Sequence, residues 1–234
     1  MPKYKTTIML TCLILGSALA QCESSSDWQI DSLLFEENFD SGDLGNWVLE
    51  LENPATSTVE IKNGVMDIDV DGGATIWFKP LLEGNVMIEY EITVVDSGGS
   101  NDRISDLNQF WMASDPGNPD LFTRSGRFPT YHGLLLYYVG MGGNNNSTTR
   151  FRKYPGDGSR DLLYEHTDKA HLLTANTPYK IQIVTFDTVT QFIVNDEIYF
   201  HHHDADLIPA GHFGIRTVRN HETIDNFKVY RLVD

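Results

Sequence analysis

Three stretches of this chain carry residue types that an ordinary β-rich core does not need. The first is Asp106-Leu107-Asn108-Gln109-Phe110-Trp111-Met112-Ala113. The second begins Tyr131-His132-Gly133, passes through Tyr137-Tyr138 and ends on Arg150-Phe151-Arg152-Lys153-Tyr154. The third is Arg216-Thr217-Val218-Arg219-Asn220-His221. Amides, arginines, histidines, tyrosines and a tryptophan suit a site for an anionic sugar. An exposed tryptophan offers a stacking platform to a pyranose ring. Arginine grips a carboxylate or sulfate through paired hydrogen bonds.

Two kinds of sugar chemistry compete. Hydrolysis needs two carboxylates at a set separation, and the Glu-x-Asp-x-x-Glu strand motif of laminarinase-type jelly rolls is absent. A hydrolase with dispersed carboxylates remains as a third reading. Elimination from a uronic acid needs donors that neutralise the sugar carboxylate, a base for the C5 proton and an acid for the group leaving C4. The three blocks supply those types in Asn108, Gln109, His132, Tyr137, Tyr138, Arg150, Arg152, Arg216 and His221. That chemistry requires no metal and no cofactor.

Strands must position these groups. Val86, Ile88, Tyr90, Ile92 and Val94 alternate with polar residues, as do Met66, Ile68 and Val70 with Asp67 and Asp69. Further strands are expected at 33–39, 46–51, 57–62, 74–79, 107–113, 132–140, 148–153, 179–186, 190–194, 197–202, 212–217 and 223–232. Asn-Gly, Asp-Gly and Gly-Gly turns separate many of them. The only helical turn expected lies near 204–208. Many short strands, with the first and last able to pair, predict an all-β, two-sheet jelly-roll sandwich. Loops 114–130 and 154–178 are long enough to be functional. Strand parity then sorts the candidates. With Phe110 and Met112 inward, Gln109 and Trp111 face away from the core. With Phe151 inward, Thr148, Arg150 and Arg152 face away. With Phe213 and Ile215 inward, Arg216 does too. The strand at 132–140 is too apolar to orient, and one of Tyr137 and Tyr138 is expected in the core.

Composition narrows the partners. The chain has 234 residues, 33 acidic against 17 basic, for a net charge of −16. That sign disfavours nucleic acid, and an anionic ligand would need the few basic groups gathered in one place. Lys3 and Lys5 precede an apolar run ending Ala18-Leu19-Ala20, which predicts an export signal over 1–21. Cys12 lies within it, so Cys22 is the one cysteine left and no intrachain disulfide can form. Cys22 is a candidate lipidation site, simple cleavage after Ala20 being the alternative. Residues 22–32 would then be a polar tether before a single domain at 33–234. The expected location is periplasmic, outer-membrane-anchored or secreted, with membrane contact only through the lipid. His201-His202-His203-Asp204 is expected as an exposed strand end, because successive strand residues alternate faces. That alternation also argues against the run as a metal site, which leaves a structural Ca²⁺ near Glu36, Asp40 and Asp225 as the candidate metal.

The opening Phe35-Glu36-Glu37-Asn38-Phe39-Asp40, the 106–113 block, the run from Gly140 to Arg152 and the ending Arg219-Asn220-His221 together resemble a family of concanavalin-like jelly-roll proteins. These occur in polysaccharide-utilisation clusters of Bacteroidota. The sequence is similar to oligosaccharide dehydratases of ulvan breakdown across roughly 33–232. The resemblance implies removal of water from a non-reducing-end uronate to leave a 4,5-unsaturated sugar. A glycan-cleaving lyase would share the mechanism. On this reading His132 and one of Tyr137 or Tyr138 form the acid–base pair. Arg150 and Gln109 neutralise the carboxylate, and Trp111 stacks on the sugar. Asn108, Arg152, Arg216 and His221 complete a pocket for an acidic oligosaccharide, sulfated or unsulfated. A non-catalytic carbohydrate-binding module would need the same residues without the proton-transfer pair.

Overall fold

The computed structural model describes residues 28–234. The export signal, Cys12 and Cys22 lie outside the described residues. Within them the chain forms thirteen strands. No helix among them is long and apolar enough to cross a membrane.

Two long strands organise the sandwich. β4 (Val65–Glu83) and β13 (Ala210–Val233) pair antiparallel along most of their length. Each serves both sheets. The first half of β13 pairs with β6 (Leu107–Ser114) and with the end of β4, which in turn pairs with β2 (Trp47–Leu51). The second half pairs with β5 (Val86–Val94), with the start of β4 and with β1 (Gln29–Glu37). The first sheet continues through β7 (Leu135–Gly142), β8 (Thr148–Pro155) and β9 (Asp161–His166). The second continues through β10 (Pro178–Phe186), β11 (Val189–Val194) and β12 (Glu197–His203), while β3 (Thr58–Lys62) flanks β4. The all-β sandwich expected from the strand pattern is therefore present, and its first and last strands pair.

The alternation on β5 works as anticipated: Val86, Ile88, Tyr90, Ile92 and Val94 are all buried between the sheets. Several boundaries differ. The strand expected at 74–79 and the alternating run through Met66, Ile68 and Val70 are one strand, because Asp71-Gly72-Gly73 continues the pairing instead of turning. β1 starts at Gln29, inside the stretch expected as a tether, since Gln29 and Ile30 pair with Val233 and Leu232. β9 lies within the expected loop 154–178. Residues 204–208 hold no helix. Short 3₁₀ turns form instead at Phe128–Tyr131 and Lys169–His171. Between β7 and β8, Asn144, Asn145 and Asn146 take left-handed φ values near those that asparagine tolerates best.

A third layer covers part of the first sheet's outer face. The segment 115–134 lays Leu121, Tyr131 and Leu134 over Trp77, Phe110 and Leu136. Buried Glu50 on β2 holds it down. Its carboxylate accepts from Trp77 Nε1 at 2.8 Å, Tyr131 Oη at 2.8 Å and the Arg124 amide at 2.5 Å. Arg124 in turn donates to the Thr130 and Leu121 carbonyls, each at 2.8 Å, and to Asp115 at 2.5 Å. Glu50→Ala removes one acceptor from three donors. We expect it to lower unfolding stability by about 1–3 kcal/mol or more and to speed proteolysis within 115–134, measured by denaturant melts and limited digestion.

Candidate functional site

Beyond the edge of that covering segment the first sheet opens into a cleft of 290 Å³. Its floor is Tyr138 and Gly140 of β7 with Thr148, Arg150, Arg152 and Tyr154 of β8. Phe128 forms one wall, and Arg160, from the β8–β9 connection, another. Asp106 and the left-handed turn at Gly143 and Asn144 complete the rim. The β8 residues alternate as expected: Phe151 enters the core while Thr148, Arg150 and Arg152 face the cleft.

Three guanidinium groups thus share one small space in an acidic protein. Arg150 Nε binds Glu165 at 2.5 Å, Arg152 Nη1 donates to the Arg160 carbonyl at 2.9 Å, and Arg160 Nη1 lies 3.2 Å from His132 Nε2. A guanidinium only donates, so His132 Nε2 accepts and the ring proton sits on Nδ1. Burial and the Arg160 charge together hold the His132 pKa below the usual histidine value. The Tyr138 hydroxyl donates to Asn108 Oδ1 at 3.1 Å, and burial drives its pKa far above that of a free phenol. The Tyr154 hydroxyl is buried without a hydrogen-bond partner. Burial pushes its pKa up to about 12, against the opposing pull of Arg160 and Arg152. Asp106 is the one carboxylate on the lining among the described residues, and it is paired with Arg103.

The remaining sequence candidates fall elsewhere. Trp111 and Gln109 point into the core, not onto the open face. Trp111 stacks on Tyr137 and Phe151, with ring centroids 5.6 and 5.4 Å away, and its Nε1 donates to Thr190 at 3.1 Å. Gln109 accepts from Tyr90 Oη at 2.8 Å and donates to the Leu107 and Val139 carbonyls, so none of its polar atoms is left for a ligand. Phe110 takes the open face instead. A β-bulge is the cause: Met112 has φ of 51° and the ladder slips between Trp111 and Ser114, which lets Trp111 and Met112 both face inward. The backbone of Met112 there approaches Gly211 so closely that a Cβ at 211 would lie 2.1 Å from it. Tyr137 is the core tyrosine, bonded to Asp204. His132 is not on a strand, since β7 begins at Leu135 and His132 follows the 3₁₀ turn.

Arg216 does face away from the sandwich core but is wholly buried beneath the covering segment. Phe128 and Tyr131 lie over its guanidinium, each 5.4 Å from ring centroid to Cζ. Nη1 donates to the Ala74 carbonyl at 2.7 Å, while Nε and Nη2 have no partner. It cannot touch a ligand in this arrangement, yet its charge opposes part of the burial-driven rise in the Tyr138 and Tyr154 pKa values. His221, carried past a second bulge at Arg219, sits between Asp102 at 3.0 Å and Asp67 at 3.1 Å, away from the cleft lining. Burial disfavours its charged form, but the two carboxylates outweigh that and raise its pKa. The carboxylates weighed for Ca²⁺ serve separate contacts: Glu36 with Lys228, Asp40 with Asn38 and Asp225 with the Asn226 amide. His201 and His202 contact different neighbours, Gln191 and Tyr164, as alternation requires.

Sequence reasoning missed Tyr154 and Arg160 as cleft residues. Tyr154 was visible through its parity with Arg150 and Arg152. Arg160 has no such signal, because it sits in a turn between β8 and β9 whose residues follow no strand or helix period.

The fold defines the class first. The chain matches a Bacillus subtilis protein with a galectin-like fold at 15% identity and a TM-score of 0.72, over 88% of this chain and 99% of that one. It also matches the carbohydrate-binding module CBM66 from Bacillus subtilis at 14% identity and 0.54, over 79% and 95%. The endo-β-1,3-glucanase of Pyrococcus furiosus aligns at 11% identity and 0.59, over 88% and 95%. These likenesses establish a galectin-like jelly roll. The chain belongs to the DUF6250 family, described as a domain of unknown function, whose model matches residues 68–227. No curated protein matches it in sequence.

Trp111→Ala separates the two roles weighed for this residue. We expect a loss of about 3–5 kcal/mol in stability, as for other buried aromatic truncations, by chemical denaturation. Ligand affinity of the fraction that remains folded should not change, because no part of Trp111 reaches the cleft.

Proposed function

We propose that this protein is exported, binds the non-reducing end of a uronate-containing oligosaccharide in the cleft and eliminates the group at C4. The observation that carries this reading is the convergence of Arg150, Arg152 and Arg160 on one cleft that also holds an unpartnered tyrosine hydroxyl and borders a neutral histidine. An ulvan-type sugar, as the sequence resemblance implies, is the proposed substrate. The jelly-roll neighbours include a carbohydrate-binding module and a glucanase, which supports a carbohydrate ligand of some kind. Phe128 and the covering segment bound the cleft on one side, which suits a chain end better than a chain interior.

The sugar carboxylate would bridge Arg152 and Arg160, lowering the cost of the extra negative charge that develops at C5. When Arg160 turns from His132 to the carboxylate, it frees the Nε2 lone pair. That nitrogen takes the C5 proton. The C5–H electrons become the C4–C5 double bond and the C4–O bond breaks. Tyr154 is buried in the free protein; once Arg160 has turned aside, its hydroxyl, kept protonated by the raised pKa, would give its proton to the departing oxygen. A hydroxyl at C4 leaves as water, and a glycosidic oxygen leaves as a shortened sugar. Asn108 holds Tyr138 in place as part of the floor. Hydrolysis is disfavoured, since it needs two carboxylates and the lining carries only Asp106 among the described residues.

A binding module is the second reading, favoured by the bond that keeps His132 Nε2 occupied by Arg160. Incubation with uronate-terminated oligosaccharides decides between them. We expect ultraviolet absorbance of a conjugated uronate, with products lighter by one water and of unchanged length. Shorter unsaturated products would indicate a lyase. Binding without any chromophore, lost in Arg152→Ala, would establish the module instead.

Two variants probe the proton transfers. His132→Ala should abolish turnover with the circular dichroism spectrum unchanged, and Tyr154→Phe should lower kcat by about 10²–10⁴-fold. Because the His132 pKa is depressed, its base form persists to lower pH. The acid limb of kcat/KM should therefore fall below the ordinary histidine value of about 6.5, measured as a pH–rate profile. A limb above that value would remove His132 as the base.

A further inference from the structure

We propose that the cleft holds a second subsite, formed by Asp106, Asn144 and Arg150, for a neutral, hydroxyl-bearing sugar next to the terminal uronate. This subsite rests on the uronate reading above and narrows its substrate class. It follows from how charge is compensated along β8.

Thr148, Arg150, Arg152 and Tyr154 all line the cleft. At ~3.4 Å per residue the cleft therefore follows β8 for about 20 Å, longer than one pyranose ring. Toward the Tyr154 end, Arg152 and Arg160 contact a backbone carbonyl and the neutral His132 ring. Both charges are left for the uronate carboxylate. Toward the Thr148 end, Arg150 is paired with Glu165, and Asp106 with Arg103. That end is polar but electrically balanced. A second anion placed there would lose its hydration and meet no uncompensated charge to offset the loss. Sugar hydroxyls suit it better, because each can donate to Asp106 and accept from Arg150 or Asn144. Between the two ends the floor is Gly140, opposite Arg150 in the ladder. A Cβ at 140 would collide with the Tyr138 hydroxyl, and its absence keeps the floor open from one sugar to the next.

The backbone presents these groups deliberately. Asp106 and Asn144 have left-handed φ values of 58° and 53°, uncommon outside glycine, and such residues gather at ligand clamps. The Asn144 turn is fixed from behind. Ser147 Oγ donates to the Asn144 carbonyl at 2.9 Å, and Asn146 exchanges two 2.9 Å hydrogen bonds with Leu173. Asp106 is fixed by the run Arg219-Asn220-His221. The Arg219 carbonyl accepts from Arg103 Nε at 3.1 Å, Asn220 Nδ2 donates to the Ser105 carbonyl at 2.5 Å, and His221 Nδ1 lies 3.0 Å from Asp102. Each member of that run holds the 102–105 loop that delivers Asp106. The run thus acts on a ligand through Asp106, although none of the three lines the cleft. Where the second sugar of a glycan carries a sulfate ester, a desulfating reaction must come first.

Calorimetry with three probes tests the subsite: methyl glucuronide, glucuronosyl-rhamnose, and that disaccharide O-sulfated on its rhamnose. The His132→Ala protein is used, so that no ligand is consumed. We expect the neutral disaccharide to bind about 10-fold more tightly than methyl glucuronide, and the sulfated one more weakly than the neutral one. Adding Asp106→Asn keeps a residue that tolerates the left-handed backbone but leaves the Arg103 charge uncompensated. It should reverse the order of the two disaccharides. Asn144→Ala, on the exposed turn, should weaken the neutral disaccharide about 3-fold relative to methyl glucuronide, and it reports if Asp106→Asn fails to fold. Equal affinity for methyl glucuronide and the neutral disaccharide, tighter binding of the sulfated form, or an unchanged order in Asp106→Asn would overturn the second subsite and leave the uronate reading standing. Failure of all three probes to bind would overturn the uronate reading and the subsite with it.

Discussion

The Glu50 carboxylate, buried between a β-sheet and the segment laid over it, is the contact on which the site depends. It satisfies donors from β4, from the 3₁₀ turn and from the loop backbone at once. A covering segment rich in proline, glycine and aspartate has little regular hydrogen bonding of its own. Its ordering entropy must be met by packing and by such anchors. With the segment down, Leu121, Tyr131 and Leu134 bury the aromatic surface of Trp77 and Phe110. What remains of the open face is the part floored by β7 and β8. The cleft is therefore defined as much by what covers the sheet as by the sheet.

The same layer traps Arg216. A guanidinium without a carboxylate partner is costly to bury, and here it keeps one backbone hydrogen bond and two aromatic faces. Burial pulls its pKa down from the ordinary value, but an arginine that starts so high stays charged. Its field acts through low-dielectric surroundings on Tyr138 and Tyr154. Together with Arg150, Arg152 and Arg160 it makes the cleft region positive within a chain of net charge −16. The acidic exterior repels anions in general. The acidic oligosaccharide proposed above would therefore be held by specific bidentate contacts and not by bulk attraction.

Other ionisable groups in the fold illustrate how differently burial acts. Glu222, enclosed with Asn220 donating to it at 2.8 Å, has a pKa pushed up to about 8 by desolvation. Asp204, less enclosed and bonded to Lys153 at 2.6 Å, has its burial outweighed and its pKa lowered. His221, between two carboxylates, goes up, and His132, beside a guanidinium, goes down. The last pair shows why histidine in a motif says little until its neighbours are known.

What the sequence determined by itself was the class of fold and the basic strand of the site. Period-two alternation on β5 and β8 reflects burial on one face of a pleated strand, a purely local property. It sufficed to place Arg150 and Arg152 opposite Phe151, and the jelly-roll architecture followed from the number and spacing of strands. The tertiary structure alone decided what broke that alternation. The bulge at Met112 arises where β6 meets Gly211, about a hundred residues away in sequence, and it sends Trp111 and Gln109 inward. The bulge at Arg219 likewise takes His221 to Asp67 and Asp102. The burial of Arg216 needed a segment from another part of the chain, and the arrival of Arg160 beside His132 needed a turn without periodicity. Each depends on contacts between residues distant in sequence, which no local pattern encodes.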